Sequence, residues 1–268
     1  MHTLRDAFAA RRARGQAALV AYLTAGFPDA EVSARALVAV AEAGADVIEL
    51  GVPFSDPLAD GPTIQAASFD ALAAGMTLEG ALALLRDFRR THDTPVVVFS
   101  YLNPLLRFGL ERFLEAAAAA GAQGLLVTDL PAGADPPIEQ AIRRSPLDLV
   151  RLLAPTTPRR RIAEVVEGGE GFLYYISRTG VTGARDALRE GLADEVRALR
   201  EVVRLPIAVG FGISTPEQAA AVAGAADGVV VGSALVDALR REGPEGAGAF
   251  TAALRAAMDA AGVGPQGG

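Results

Sequence analysis

Residues Leu19–Leu50, LVAYLTAGFPDAEVSARALVAVAEAGADVIEL, hold one complete strand–helix–strand unit. An apolar run, Leu19–Leu23, is followed by a helix-like segment, Ala30–Ala43, that stops at Gly44, and then by a second apolar run, Val47–Leu50. Near-continuous apolar strands fit a sheet covered on both faces, and an intervening helix brings the two strands side by side in parallel. The unit repeats along the chain. Further runs at Val96–Tyr101, Gly124–Thr128, Asp148–Leu153, Phe172–Ser177, Ile207–Gly210 and Gly228–Val231 complete a set of eight. Segments rich in Ala, Leu, Glu and Arg lie between them, including Leu78–Arg90, Arg112–Ala120 ending at Gly121, and Asp194–Val203. Eight such units in about 250 residues predict an α/β chain folded as a (β/α)8 barrel. A doubly wound open sheet is the competing architecture, which periodicity alone does not exclude.

Several segments add to the eight units. Thr3–Arg14 reads as an extra amphipathic helix ahead of the barrel, with Leu4, Ala7 and Phe8 on one face. The gap between the second and third runs is the longest, and extra helices are expected in the βα loops. The helix before the last strand opens Ser214-Thr-Pro-Glu217, an S-x-x-E capping pattern with Pro216 near the first turn. Short and longer helices are expected at Ala234–Leu239 and Ala249–Ala261. The reading is one domain over residues 1–262, with a disordered tail at 263–268.

Composition removes whole classes of chemistry. There is no Cys, which excludes disulfides, thiolate nucleophiles and Cys–metal sites. There are only two His, His2 near the terminus and His92 in a polar stretch, so neither a catalytic His nor a two-His metal site is expected. All 25 basic residues are Arg, and without Lys no Schiff base can form on a side chain, a pyridoxal phosphate linkage included. A net charge of −7 with scattered arginines argues against a nucleic-acid footprint. No segment is long and apolar enough to span a bilayer and nothing at the N-terminus resembles a signal peptide, so a soluble cytoplasmic protein is expected.

The stretch Val47–Gln65, VIELGVPFSDPLADGPTIQ, carries the functional signal. Glu49 falls at the C-terminal end of a strand, the catalytic end of a barrel, where burial makes an unpaired acid costly. Pro53, Pro57, Gly61 and Pro62 fix the loop that follows, and Asp56 and Asp60 ride on it. Asp56 reads as a turn former; Asp60 stands evenly between turn former and catalyst. Asp129 reads as a loop organiser and Arg159–Arg161 as a solvated helix start. Late in the chain, Gly180 and Gly183, Gly210 and Gly212, and Gly232 with Ser233 place small residues on the same predicted face. Together with the helix beginning at Ser233, they suit a phosphate group, although each glycine alone could be a turn or cap. Tyr22, Phe99, Tyr101, Tyr174 and Phe211 lie near strand ends and could line a pocket for a flat apolar substrate or simply be core.

These motifs have a family counterpart. ELGVPFSDPLADGPTIQ, with YLTAGFP at Tyr22–Pro28, YLNP at Tyr101–Pro104, DLP at Asp129–Pro131, APTTP at Ala154–Pro158, SRTGVTG at Ser177–Gly183 and GFGIS at Gly210–Ser214, resembles the α chain of tryptophan synthase over essentially the whole length. The resemblance implies a (β/α)8 barrel that cleaves indole-3-glycerol phosphate to indole and glyceraldehyde 3-phosphate. It implies a β chain carrying pyridoxal phosphate, an α2β2 assembly, passage of indole to that chain for condensation with L-serine, and no cofactor or metal on this chain. By the same resemblance Glu49 is the general acid–base and Asp60 the second catalytic acid. Tyr22 matches the indole pocket, and Tyr174, Phe211, Gly183, Gly212, Gly232 and Ser233 match substrate or phosphate contacts. Thr182 matches a residue of a mobile loop that closes over Asp60. Ala132–Pro137 departs from the family, with Gly and Pro where an acidic run is usual. Three rivals stay open: another phosphate-binding barrel such as a sugar-phosphate isomerase, a chain retained to activate a partner, and a stand-alone lyase that releases free indole.

Overall fold

The computed structural model describes residues 3–176, 185–210 and 212–262. Nine strand segments form one sheet: β1 (Ala18–Thr24), β2 (Val47–Gly51), β3 (Val96–Ser100), β4 (Gly124–Val127), β5 (Asp148–Leu149), β6 (Arg151–Leu153), β7 (Leu173–Ile176), β8 (Ile207–Gly210) and β9 (Gly228–Val231). Every neighbouring pair is parallel, in the order β5-β4-β3-β2-β1-β9-β8-β7-β6. The two edges, β5 and β6, are halves of the single run expected at Asp148–Leu153. Asp148 and Leu149 pair with β4 while Arg151–Leu153 pair with β7, so the chain changes partners at Val150. The sheet therefore curls round to meet itself, and eight expected strands become the nine segments of a (β/α)8 barrel.

Around it lie α1 (Leu4–Arg12), α2 (Ala30–Glu42), α3 (Pro62–Ala73), α4 (Leu78–Phe88), α5 (Leu102–Phe108), α6 (Leu110–Ala120), α7 (Pro136–Arg144), α8 (Arg159–Val166), α9 (Arg185–Arg200), α10 (Pro216–Ala223) and α11 (Ser233–Ala261). The expected extra helices are α1, α3 ahead of α4, and α5 ahead of α6. Among the described residues no single helix is long and apolar enough to cross a membrane.

Two details differ from the sequence reading. The capping box of α10 is Thr215 with Gln218, one residue beyond Ser214 and Glu217. That register puts Pro216 at the first helical position, where its missing N–H costs nothing. α11 is the two expected C-terminal helices, both longer than expected and meeting at Gly243 (φ 70°, ψ −167°), a conformation open to glycine, after which Pro244 starts the second.

Val20, Val47, Val97, Leu126, Val150, Phe172, Ala208 and Val230, one from each strand region, fill the lower barrel together with Ala18. Leu4 and Phe8 of α1 join this layer, with the Phe8 and Phe172 rings 5.1 Å apart, so α1 plugs the N-terminal mouth. Thr3 and Asp6 cap α1 reciprocally. Below the plug, Asp46 accepts from Arg11 (2.6 Å), from the Leu19 N–H (2.8 Å) and from Arg255 (3.2 Å), tying α1, β1 and α11 together. With that end closed, the C-terminal mouth is left open.

Candidate active site

Side chains of a strand return to the same face every second residue, so adding two to each position of the lower layer gives the next layer up. The result is Tyr22, Glu49, Phe99, Thr128, Leu152, Tyr174, Gly210 and Gly232. All but Gly210 line a cavity of about 850 Å3 at the C-terminal end of the barrel. Glycine makes room where the rings lean across the barrel. A Cβ at Gly51 would sit 2.2 Å from the Tyr22 hydroxyl, and one at Gly210 would sit 2.5 Å from that of Tyr174. Gly210, one of the glycines read as an approach for an anion, thus lies under Tyr174. Tyr22 also meets Phe99 edge-on, with ring centres 5.2 Å apart, and the Thr24 hydroxyl donates to its oxygen at 3.4 Å.

Glu49 is 1% exposed, opposite Tyr22 in the β1–β2 register, and its Oε1 has no hydrogen-bond partner. Burial pushes its carboxyl up to about 8. Among the described residues no arginine pairs with it. At neutral pH this group holds a proton inside an apolar wall and can give it up, the property a general acid–base needs.

Asp60 reaches the cavity from the loop between β2 and α3. Its backbone N–H donates to Pro57 O at 3.0 Å, and Gln65 Nε2 donates to its carbonyl at 2.8 Å. Its Oδ2 accepts from the Tyr101 hydroxyl at 2.9 Å. Burial raises this carboxyl above the ordinary range while the Tyr101 hydrogen bond pulls it down. Asp56, on the same loop, is exposed and accepts from the Ser55 hydroxyl at 2.7 Å. Asp129 accepts from the Leu102 N–H at 2.7 Å and organises the start of α5, and Arg159–Arg161 are exposed at the start of α8.

Small residues and a helix start line the part of the cavity beyond β9. Gly212, Ser214, Gly232, Ser233 and Ala234 line it, with Gly232 the N-cap of α11. The first N–H groups of a helix have no intrahelical acceptor and carry the positive end of its dipole. Arg240 and Arg241 lie two turns on and also line the cavity; Arg240 pairs with Asp70 at 2.9 Å and covers the Phe27 ring at 4.6 Å.

The fold thus brings Tyr22, Glu49, Asp60, Tyr174, Gly212, Gly232 and Ser233 to one cavity. Thr182, Gly183 and Phe211 fall outside the described residues, as does the tail 263–268. Thr128, Leu152, Arg240 and Arg241 were not singled out from the sequence as cavity residues. The first two follow from the two-residue step above a buried position, and the arginines from helical spacing after Ser233 (seven and eight residues on). Among the described residues no cluster of His, Cys, Asp and Glu could hold a metal ion.

A family model described as "Tryptophan synthase alpha chain" matches residues 8–261. The tryptophan synthase alpha chain of Synechococcus elongatus is 48% identical over 260 residues, covering 97% of this chain and 98% of that one. That of Citrifermentans bemidjiense is 49% identical over 259 residues, covering 95% and 97%. Among solved structures, tryptophan synthase subunit alpha from Legionella pneumophila superposes with a TM-score of 0.88 at 34% identity, covering 97% of this chain and 99% of that one.

Proposed function

The chain belongs to the tryptophan synthase alpha chain family, a lyase that cleaves indole-3-glycerol phosphate, and from that premise we propose how its own residues perform the cleavage. The observation that carries the proposal is Glu49, a buried carboxyl whose Oε1 has no hydrogen-bond partner and which burial pushes up to about 8. A retro-aldol step needs an electron sink, and the chain has no Lys or Cys to supply one. The indole ring serves instead. Glu49 gives its proton to C3 of the ring, which leaves positive charge at the indole nitrogen. The Glu49 carboxylate then takes the proton of the adjacent side-chain hydroxyl. The oxygen's electrons close the aldehyde, the C3–side-chain bond breaks, its electron pair restores the neutral ring, and Glu49 is protonated again. Asp60 accepts the indole N–H and stabilises the charge building on that nitrogen.

Tyr22, Phe99 and Tyr174 make the aromatic wall for the ring. Gly212, Gly232 and Ser233 hold the phosphate, joined by Gly183, while Thr182 and Phe211 complete the site; these three are assigned on family resemblance. With the phosphate anchored, the side chain is stretched between the two acids.

As an alpha chain the protein has a beta-chain partner. We propose that this partner carries pyridoxal phosphate, that the assembly is α2β2, and that it forms on the face where Leu58 is 90% exposed at the tip of the Asp60 loop. A single domain over residues 1–262 and a cytoplasmic setting complete the proposal.

The test is indole release by Glu49→Gln and Asp60→Asn. Glu49→Gln is expected to lose nearly all turnover while binding a phosphate ester as well as the parent does; robust turnover would sink the assignment. Asp60→Asn is expected to lose at least about a hundredfold, the scale of one electrostatic stabiliser.

A further inference from the structure

We propose that Tyr101 is a positioning residue for the cleavage: its phenol, at the C-terminal end of β3, clamps the loop between β2 and α3 and sets the Asp60 carboxyl over the cavity. Three contacts with the loop meet on this one side chain. The hydroxyl accepts from the Ala59 N–H at 2.9 Å and donates to Asp60 Oδ2 at 2.9 Å, while the ring packs on Phe54 at 5.2 Å. Backbone, carboxylate and apolar side chain of the loop are thereby held from a single point. That point is itself fixed, since Tyr101 is 5% exposed and serves as the N-cap residue of α5, directly after the last residue of β3.

The direction of the Asp60 bond matters. Tyr101 donates, so it favours the ionised carboxylate, the form able to accept the indole N–H. Burial works the other way and raises the Asp60 carboxyl, and the phenol opposes that rise. The phenol stays protonated because burial and the neighbouring Asp60 push its own ionisation far upward. A loop that ends in a buried acid would otherwise protonate the acid or turn it away from the cavity. Tyr101 prevents both, and this role rests on the reading of Asp60 as the group that meets the indole nitrogen.

The experiment measures kcat and KM for indole-3-glycerol phosphate across pH, on the full chain with and without a tryptophan synthase β chain, for the parent, Tyr101→Phe and Asp60→Asn. Tyr101→Phe keeps the ring against Phe54 and removes only the hydroxyl. Its acid limb is expected to move up by about one pH unit, the scale of one hydrogen bond to a charged group. Its kcat is expected to fall about tenfold with KM little changed. An unshifted acid limb in Tyr101→Phe, with Asp60→Asn inactive, overturns the positioning role and leaves the Asp60 reading standing. Full activity of Asp60→Asn overturns both. Should Tyr101→Phe unfold, 3-fluorotyrosine at position 101 takes its place. Its stronger donor is expected to move the acid limb down, and an unmoved limb overturns the proposal.

Discussion

A single side chain, Glu49, couples the chemistry to the stability of the barrel. Its carboxyl stands near 8 in the folded protein against 4.5 for an ordinary glutamate. The unfolded chain therefore releases this proton first as pH rises. Stability is lost progressively between about pH 4.5 and about pH 8, and below that window both states hold the proton and nothing is lost. The cost at the upper end is on the order of a few kcal/mol. Glu49→Gln cannot ionise and lacks this component. Its unfolding free energy relative to the parent is expected to rise from pH 4.5 to pH 8, measured by urea titration at a series of pH values. A constant difference across that window would mean that Glu49 has an ordinary pKa, and the general acid–base role would lose its physical basis. The two aromatic hydroxyls beside it, those of Tyr22 and Tyr174, are both pushed upward, chiefly by burial, and stay protonated.

At the level of elements, α1 and the late loops divide the barrel into a stability end and a reaction end. Phe8 is 3% exposed, in contact with Phe172 at the mouth opposite Glu49. Phe8→Ala is expected to cost about 3 kcal/mol, the usual scale for emptying an aromatic site in a core. Denaturant unfolding would show this, and kcat for indole release should stay within about twofold of the parent at a temperature where the variant is folded. A large loss of kcat would mean that α1 shapes the site. The strands were legible because their apolar runs are short, β-branched and regularly spaced. α2, α4 and α6 were legible because Gly44, Arg90 and Gly121 mark their ends or lie just past them. The split at Val150 was hidden, because changing pairing partner leaves an apolar run unchanged. The break in α11 was legible as a gap between two helices, Ala234–Leu239 and Ala249–Ala261, whereas their close approach at Gly243 and Pro244 was not. Glu49 could be read from its place at a strand end. Tyr101 was visible only as an aromatic near a strand end, since its bond to Asp60 spans 41 residues of sequence and exists only once β2 and β3 are paired.

The whole molecule narrows where the electrons of the cleavage can go. A chain with no Lys and no Cys has no side-chain amine for an imine and no thiolate, and the described residues include no metal-ligand cluster. What the barrel gathers at its open mouth includes the Glu49 and Asp60 carboxyls, the rings of Tyr22, Phe99 and Tyr174, Arg240 and Arg241, and a helix N-terminus. Those groups move protons, hold a flat ring and bind an anion, and none of them accepts an electron pair from a breaking carbon–carbon bond. The substrate's own ring has to accept it, which separates this lyase physically from imine-forming and metal-dependent aldolases. Borohydride added during turnover with indole-3-glycerol phosphate is therefore expected to leave the rate of indole release unchanged, and so is prolonged dialysis against EDTA. Inactivation by borohydride with a mass increase on the chain would show an imine formed with the product aldehyde, since indole-3-glycerol phosphate has no carbonyl of its own. Loss of activity in EDTA that returns with a divalent cation would place a metal ion in the reaction. The EDTA result would add a metal ion to the proton transfers assigned to Glu49 and Asp60.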